Sequence, residues 1–256
     1  MPLDTAISKL DWASGHLETL WQETAAYLKG KPYEFEADPK DTFERNGETW
    51  ASGRFVGNET TLTRLSFLFG DVVTNLRCSL DYLVWELVWA EKNTPGAGCA
   101  FPICDSVQQF GGELQKGRLG GVNPAVVSHI ESLQPYHGGK QGEQHFLWVL
   151  NQFCNINKHR RALRLDLSVA APSPDLEVEH MPDGSTYARV NPPPKFKGGT
   201  KVGPYRIIEG EPEIDHNLMG YVAIKEPPIE GFEVCSLVDK TRDYVRQEIL
   251  KFSQFF

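Results

Sequence analysis

Cysteine is scarce in this chain and never closely paired: Cys78, Cys99, Cys104, Cys154 and Cys235 are five in 256 residues, with no C-x-x-C. An odd, scattered set fits no disulfide framework and suits a reducing compartment, so a cytoplasmic location is expected. Cys99 and Cys104 flank "AFPI" and would need a histidine to hold zinc, but one C-x4-C without a second pair is too little, and no H-E-x-x-H occurs. No metal is expected, and no cofactor. The chain has no G-x-G-x-x-G after a strand pattern, no Walker loop and no G-x-S-x-G elbow.

Long apolar runs are also lacking. Even "LDYLVWELVWA" is broken by Asp81 and Glu86 and falls short of the roughly 20 residues a membrane span needs, so no membrane partner is expected. The opening "MPLDTAISKLDWASGHLETLW" has neither a basic start followed by an apolar block nor an Arg-rich, acid-poor character, and no export signal is expected from it. Positive charge is in deficit, with 26 Lys and Arg against 34 Asp and Glu and a net charge of -8. That excludes a surface coating nucleic acid by bulk attraction; such contact must come from a local basic patch. No internal repeat is present.

What the chain does have is clear periodicity. Ile7, Leu10, Trp12, Leu17, Leu20, Trp21 and Leu28 recur at helical spacing before a Gly30 and Pro32 stop. "YEFEAD" and "TWASGRFVG" alternate around the turn-rich "PKDTFERNGE", as a hairpin would. From Glu59 to Glu91 one glycine and no proline interrupt a strongly apolar helical pattern, which predicts a central helix. "SVQQFGGEL" reads as a weak helical turn, and Asn123 with Pro124 opens a helix that Pro135 ends. "GEQHFLWVLNQFCNINKHR" reads as a further helix, period-two segments follow to about residue 226, and a last helix closes the chain. The fold class expected is α+β. Its helical core covers approximately 1–30, 59–160 and 235–256, with an N-terminal β-hairpin over 33–57 and a C-terminal antiparallel sheet over 162–226, in a single interwoven domain.

Two polar patches interrupt the apolar helices. On the central helix Arg77 and Asp81 stand four apart, with Tyr82 beside them; an intrahelical ion pair on a partly exposed face is the simple explanation. On the later helix Asn151, Asn155 and His159 form a stripe at i, i+4 and i+8, followed by Lys158 and Arg160 at the end. Cations there complement the negative end of the helix dipole. Recurrent asparagine, a mediocre helix former, is less readily explained that way.

The stretches "LRCSLDYLVWELV", "FPI", "IESLQPY" and "LWVLNQFCNINKHR" resemble a group of uncharacterised bacterial proteins in which an R-x-x-L-D-H helix precedes a helix ending N-x-D-K-H-R; the likeness spans roughly residues 60–165. The arginine helix is in turn similar to the HEPN superfamily (higher eukaryotes and prokaryotes nucleotide-binding), whose metal-independent RNases carry R-x4-6-H on a helix. The resemblance implies a HEPN-like antiparallel helical core, with Arg77 at the arginine position stabilising phosphorane charge. The histidine position falls on Tyr82, and tyrosine, with a pKa of about 10, is a poor general base. His159 would then supply the imidazole, oriented by Asp81, and antiparallel packing would bring Lys158, His159 and Arg160 to Arg77 and Asp81 around one anionic pocket with Asn151 and Asn155.

Two functions follow. One is a HEPN-like endoribonuclease of a defence or toxin system acting on RNA. The alternative is a non-catalytic module binding a nucleotide, another phosphate-bearing ligand or a protein partner, with the 162–226 sheet as recognition surface and Trp85, Trp89 and Trp148 as the seam of a homodimer. A cysteine hydrolase using Cys154 or Cys78 with His159 is opposed by spacing, since residues five apart on a helix do not point together. "HGGKQG", with Lys140, is a candidate anion cradle or a plain connection, and His129 is expected to face solvent.

Overall fold

The computed structural model describes residues 3–30, 33–57, 59–138, 145–159, 161–170, 176–180, 186–190, 202–209, 211–212, 219–227 and 229–256. Its helices are α1 (Asp4–Lys29), α2 (Glu59–Ala90), α3 (Val107–Gln115), α4 (Pro124–Ser132), α5 (Phe146–His159) and α6 (Val234–Lys251), with a 3-10 turn at Phe252–Phe255. The strands are β1 (Tyr33–Arg45), β2 (Glu48–Gly57), β3 (Leu165–Ala170), β4 (Leu176–His180), β5 (Thr186–Val190), β6 (Val202–Ile208), β7 (Glu211–Pro212) and β8 (Met219–Ile224). The class is α+β, as the period-two and helical segments predict. The chain forms two compact units: Met1–Trp21, Phe67–Leu163 and Cys235–Phe256 make the first, Gln22–Ser66 and Arg164–Val234 the second.

In the second unit every ladder is antiparallel. β1 and β2 form the expected hairpin, but the turn is tighter than "PKDTFERNGE" suggested. Asn46 and Gly47 alone make it, both at positive φ (54° and 77°), as a two-residue turn matched to strand twist requires. The earlier turn residues become a register shift between Ala37 and Thr42 within β1. Among the described residues the expected single sheet over 162–226 is divided. β6 joins the hairpin through Trp50↔Arg206 and Ala51↔Tyr205, giving the order β1-β2-β6-β7, while β3-β8 and β4-β5 are separate two-stranded ladders. Prolines and glycines break the segment too often for one continuous sheet, and β2 offers β6 an open edge.

The first unit is helical. On α1 the buried stripe is Ala6, Leu10, Ala13, Leu17 and Leu20, with Leu3 buried just before it. Two alanines thus occupy core positions, and the larger Trp12, expected among the apolar residues, points outward. α2 buries Phe69, Val72, Leu76, Leu80, Leu83, Val84 and Leu87, consistent with a central helix. The weak turn proves to be a nine-residue helix, α3, because the Ser106 hydroxyl accepts from the Gln109 N–H. α4 starts as Asn123 and Pro124 dictate, with the Asn123 side chain accepting from Ala125 N–H at 2.9 Å.

Candidate functional site

Arg77 and Asp81 do pair, with Nη2 to Oδ1 at 3.2 Å, but the pair is turned inward. Arg77 is only 13% exposed and Asp81 28%. Both side chains act on Phe101: its N–H donates to Asp81 Oδ1 at 2.9 Å, and its carbonyl accepts a short bond from Arg77 Nη2. Gln134, fully buried, does the same three residues on. Its Oε1 accepts from Cys104 N–H at 2.9 Å and its Nε2 donates to the Pro102 and Ile130 carbonyls, each at 3.0 Å. Arg118 and Trp85 complete the arrangement. Arg118 Nη1 donates to Gly98 O, its carbonyl accepts from Ala100 N–H, and the Trp85 indole donates to Cys99 O at 3.4 Å.

The segment 98–104 is therefore an extended strap with no strand beside it. Buried backbone groups need partners, and here side chains of α2, α4's exit and the α3–α4 connection supply them. The "LR..LD", "FPI" and "LQPY" stretches behind the family resemblance are the parts of this clamp. Within the clamp, Arg77 Nη1 is buried without a hydrogen-bond partner among the described residues.

α5 packs on α2. The Phe153 ring meets Phe69 edge-on with centroids 5.0 Å apart, Cys154 Sγ donates to Val73 O at 3.2 Å, and Asn157 Nδ2 donates to Gly70 O and Thr74 Oγ1, both at 3.2 Å. Gly70 is what admits this approach, since a Cβ there would lie 2.6 Å from Asn157 Oδ1. The amide that matters is thus Asn157 rather than the expected stripe, in which Asn151 is half-buried and Asn155 exposed. Lys158 is exposed one residue further on. Arg77 and Asp81 lie three and seven residues past Thr74, the second partner of Asn157, and among the described residues no hydrogen bond or ion pair joins Lys158 to either. His159 is the last residue of α5; its side chain, and all of Arg160, lie outside the described residues, as does the 139–144 part of the "HGGKQG" loop.

Cys154 is buried. Burial pushes its thiol up to about 12, and it donates to a carbonyl. Cys104, buried beside Glu113 and Asp105, is pushed up to about 11. His129 does not face solvent freely; its ring packs against Phe252, centroids 4.8 Å apart, and Phe255. A cluster the sequence did not suggest joins His145 to Tyr244. His145 Nδ1 accepts from Leu147 N–H at the start of α5, and Nε2 lies 3.2 Å from Tyr244 Oη. Burial lowers the His145 pKa, opposed by Glu248 nearby, and burial together with Glu248 raises that of Tyr244. No group of three or more His, Cys, Asp and Glu side chains among the described residues is placed to hold a metal, and no described helix is long and apolar enough to cross a membrane.

Tyr82 is exposed, about 100° round α2 from Asp81. It belongs to an aromatic face shared with α1: Tyr82, Trp85 and Trp89 follow one another at i, i+3 and i+7, and Trp85 and Trp89 meet edge-on at 5.9 Å. α1 runs antiparallel beside them, with Thr5 N–H donating to Glu86 Oε1 at 2.7 Å and Lys9 Nζ 6.0 Å from the Tyr82 ring centre. The next turn of α1 carries Trp12, edge-on to His16. Trp148, expected in the same seam, is instead buried. No protein-family model, curated protein or solved structure matches this chain.

Proposed function

We propose that this chain is a non-catalytic interaction module whose α1–α2 aromatic face docks a second copy of the chain. The observation that carries the reading is the exposure of four large aromatics on adjoining helix faces: Trp12 is 64% exposed, Tyr82 44%, Trp85 36% and Trp89 55%. Isolated exposed apolar residues are ordinary, but clustered Trp and Tyr are the residue types that anchor interfaces. The face suits a twofold partner. An antiparallel meeting of two α2 helices centred on Trp85 sets Tyr82 near the partner's Trp89, ring against ring. Light scattering on the purified chain at micromolar concentration tests this: a dimer is expected, reverting to monomer in the Trp85→Asp variant. A wild-type monomer throughout that range refutes it.

A second reading, a HEPN-like endoribonuclease, draws on one feature, the buried Arg77 Nη1 that has no partner among the described residues. Against it, Arg77 is neutralised by Asp81 and committed to Phe101, and a phosphate could reach it only by breaking the strap. Metal-free RNA cleavage by purified protein, abolished in both Arg77→Lys and His159→Ala variants that still fold, would establish the nuclease; no cleavage is expected.

A further inference from the structure

The first turn of α5 is tied to α6 through His145. This residue stands immediately before the helix as its N-cap: its carbonyl accepts from Val149 N–H at 3.0 Å, and its ring Nδ1 accepts from Leu147 N–H at 3.2 Å. A backbone N–H in a first turn has no acceptor within its own helix, so the ring is what caps Leu147. A ring nitrogen that accepts carries no proton, which leaves the proton on Nε2, 3.2 Å from Tyr244 Oη. The two rings meet edge-on with centroids 5.3 Å apart, and Phe146 packs on the same tyrosine at 5.4 Å.

Protonation undoes this arrangement. An imidazolium has two donors and no acceptor, so Nδ1–H would stand against the Leu147 N–H and place its charge at the positive end of α5. A counter-charge is already present one turn along α6 from Tyr244. Glu248 is buried; its Oε1 accepts from Lys251 Nζ at 2.8 Å, and its Oε2 has no hydrogen-bond partner among the described residues. Its carboxylate acts electrostatically on both His145 and Tyr244. The titratable groups that act on the ring among the described residues are thus Tyr244 and Glu248, both on α6, with Lys251 held on the other Glu248 oxygen.

We propose that His145 is an acid-operated latch between two helices: neutral, it caps α5 and donates to Tyr244; protonated, it leaves the Leu147 N–H, pairs with the Glu248 carboxylate and frees the first turn of α5. Burial lowers the pKa of the latched ring, so the released ring binds the proton more tightly and falling pH shifts the population toward release. The latch is fully closed above pH 6.5 and opens as pH drops from there through the lowered value. The event is local to the two helices and does not rest on the association reading.

Nuclear magnetic resonance of the full chain, titrated from about pH 7.5 to about pH 5, tests the latch. The Leu147 amide proton should move upfield with the same midpoint as the His145 ring signals, while the amides of the buried Leu76 and Ile130 hold their positions. Glu248→Gln, which keeps an acceptor for Lys251, should move that midpoint to lower pH. His145→Asn, a capping residue that does not titrate, should leave the Leu147 amide unmoved across the range. A Leu147 amide that does not follow the ring, one that moves equally in His145→Asn, or core amides that shift along with it would overturn the proposal. An unchanged midpoint in folded Glu248→Gln would overturn it equally, because the protonated ring would then have another partner.

Discussion

Asp81 and Phe101 are joined through one hydrogen bond, Phe101 N–H to Asp81 Oδ1 at 2.9 Å, and Arg77 closes the other side of the same residue at its carbonyl. One helical turn of α2 therefore replaces the neighbouring strand that an extended segment would otherwise require. A half-buried ion pair is seldom strongly stabilising by itself. Its effect here is to satisfy two backbone groups that sit where water does not reach, and to fix the strap in a single register.

Removing one partner should thus be worse than the ion pair alone suggests. Asp81→Ala leaves the Phe101 N–H unpaired and Arg77 without its counter-charge, and a loss of about 2–4 kcal/mol is expected in urea unfolding. Arg77→Lys keeps the charge but shortens the side chain whose terminal Nη2 reaches both Asp81 and Phe101 O, and about 1–2 kcal/mol should be lost. A change within a few tenths of a kcal/mol for Asp81→Ala would show that the strap is held by packing alone.

Gly70 gives a prediction that depends on its neighbour. In a helix interior, Gly→Ala ordinarily gains about 1 kcal/mol. Here the new methyl would meet the Asn157 amide, 2.6 Å from Oδ1 and 2.8 Å from Nδ2, and displace the hydrogen bonds to Gly70 O and Thr74. Gly70→Ala should therefore be neutral or destabilising in the wild type and stabilising by about 1 kcal/mol in an Asn157→Ala background. Equal effects in the two backgrounds would mean that the amide moves aside freely.

Much of this was legible in the sequence. The helices of the first unit, the Asn123 cap and the hairpin follow from periodicity and turn chemistry, because local preference and tertiary need agree there. The Arg77–Asp81 pair was legible too, as two charges four apart. Its target was not: Phe101 is reached through backbone atoms, which carry no residue code, and Gln134 looked like any polar residue before a proline. Gly70, the single glycine of α2, was the available signal for a close helix contact, but nothing in the chain says that Asn157 rather than Asn155 meets it. Trp12 and Trp148 exchanged their expected roles because helical period alone cannot tell which apolar side of a broad stripe turns inward.

The thiols should separate cleanly by access. Cys78 is half-exposed, whereas Cys99, Cys104, Cys154 and Cys235 are buried. Brief treatment of the native protein with iodoacetamide should add one carbamidomethyl group, on Cys78, read by peptide mass spectrometry, and denaturation should release the rest. Early labelling of Cys154, whose thiol is held up at about 12 by burial, would contradict its packing against Val73.

His145 makes stability depend on pH in a defined direction. Its Nδ1 accepts from Leu147 N–H, which only an unprotonated nitrogen can do, so the folded chain keeps the neutral ring with Nε2 toward Tyr244 Oη. Burial lowers its pKa below the unfolded value of 6.5. The unfolded chain therefore binds the proton first as pH falls, and by linkage stability declines with falling pH in that window. The contribution is fully present above pH 6.5 and is lost as the pH drops from there through the lowered folded value. Urea midpoints measured across that range should fall toward acid, and His145→Gln, which keeps an acceptor at the start of α5, should flatten the part of the slope just below the unfolded value. Tyr244→Phe should retain the slope, because burial rather than the tyrosine hydroxyl sets the ring's preference. An unchanged slope in His145→Gln would place the proton uptake elsewhere.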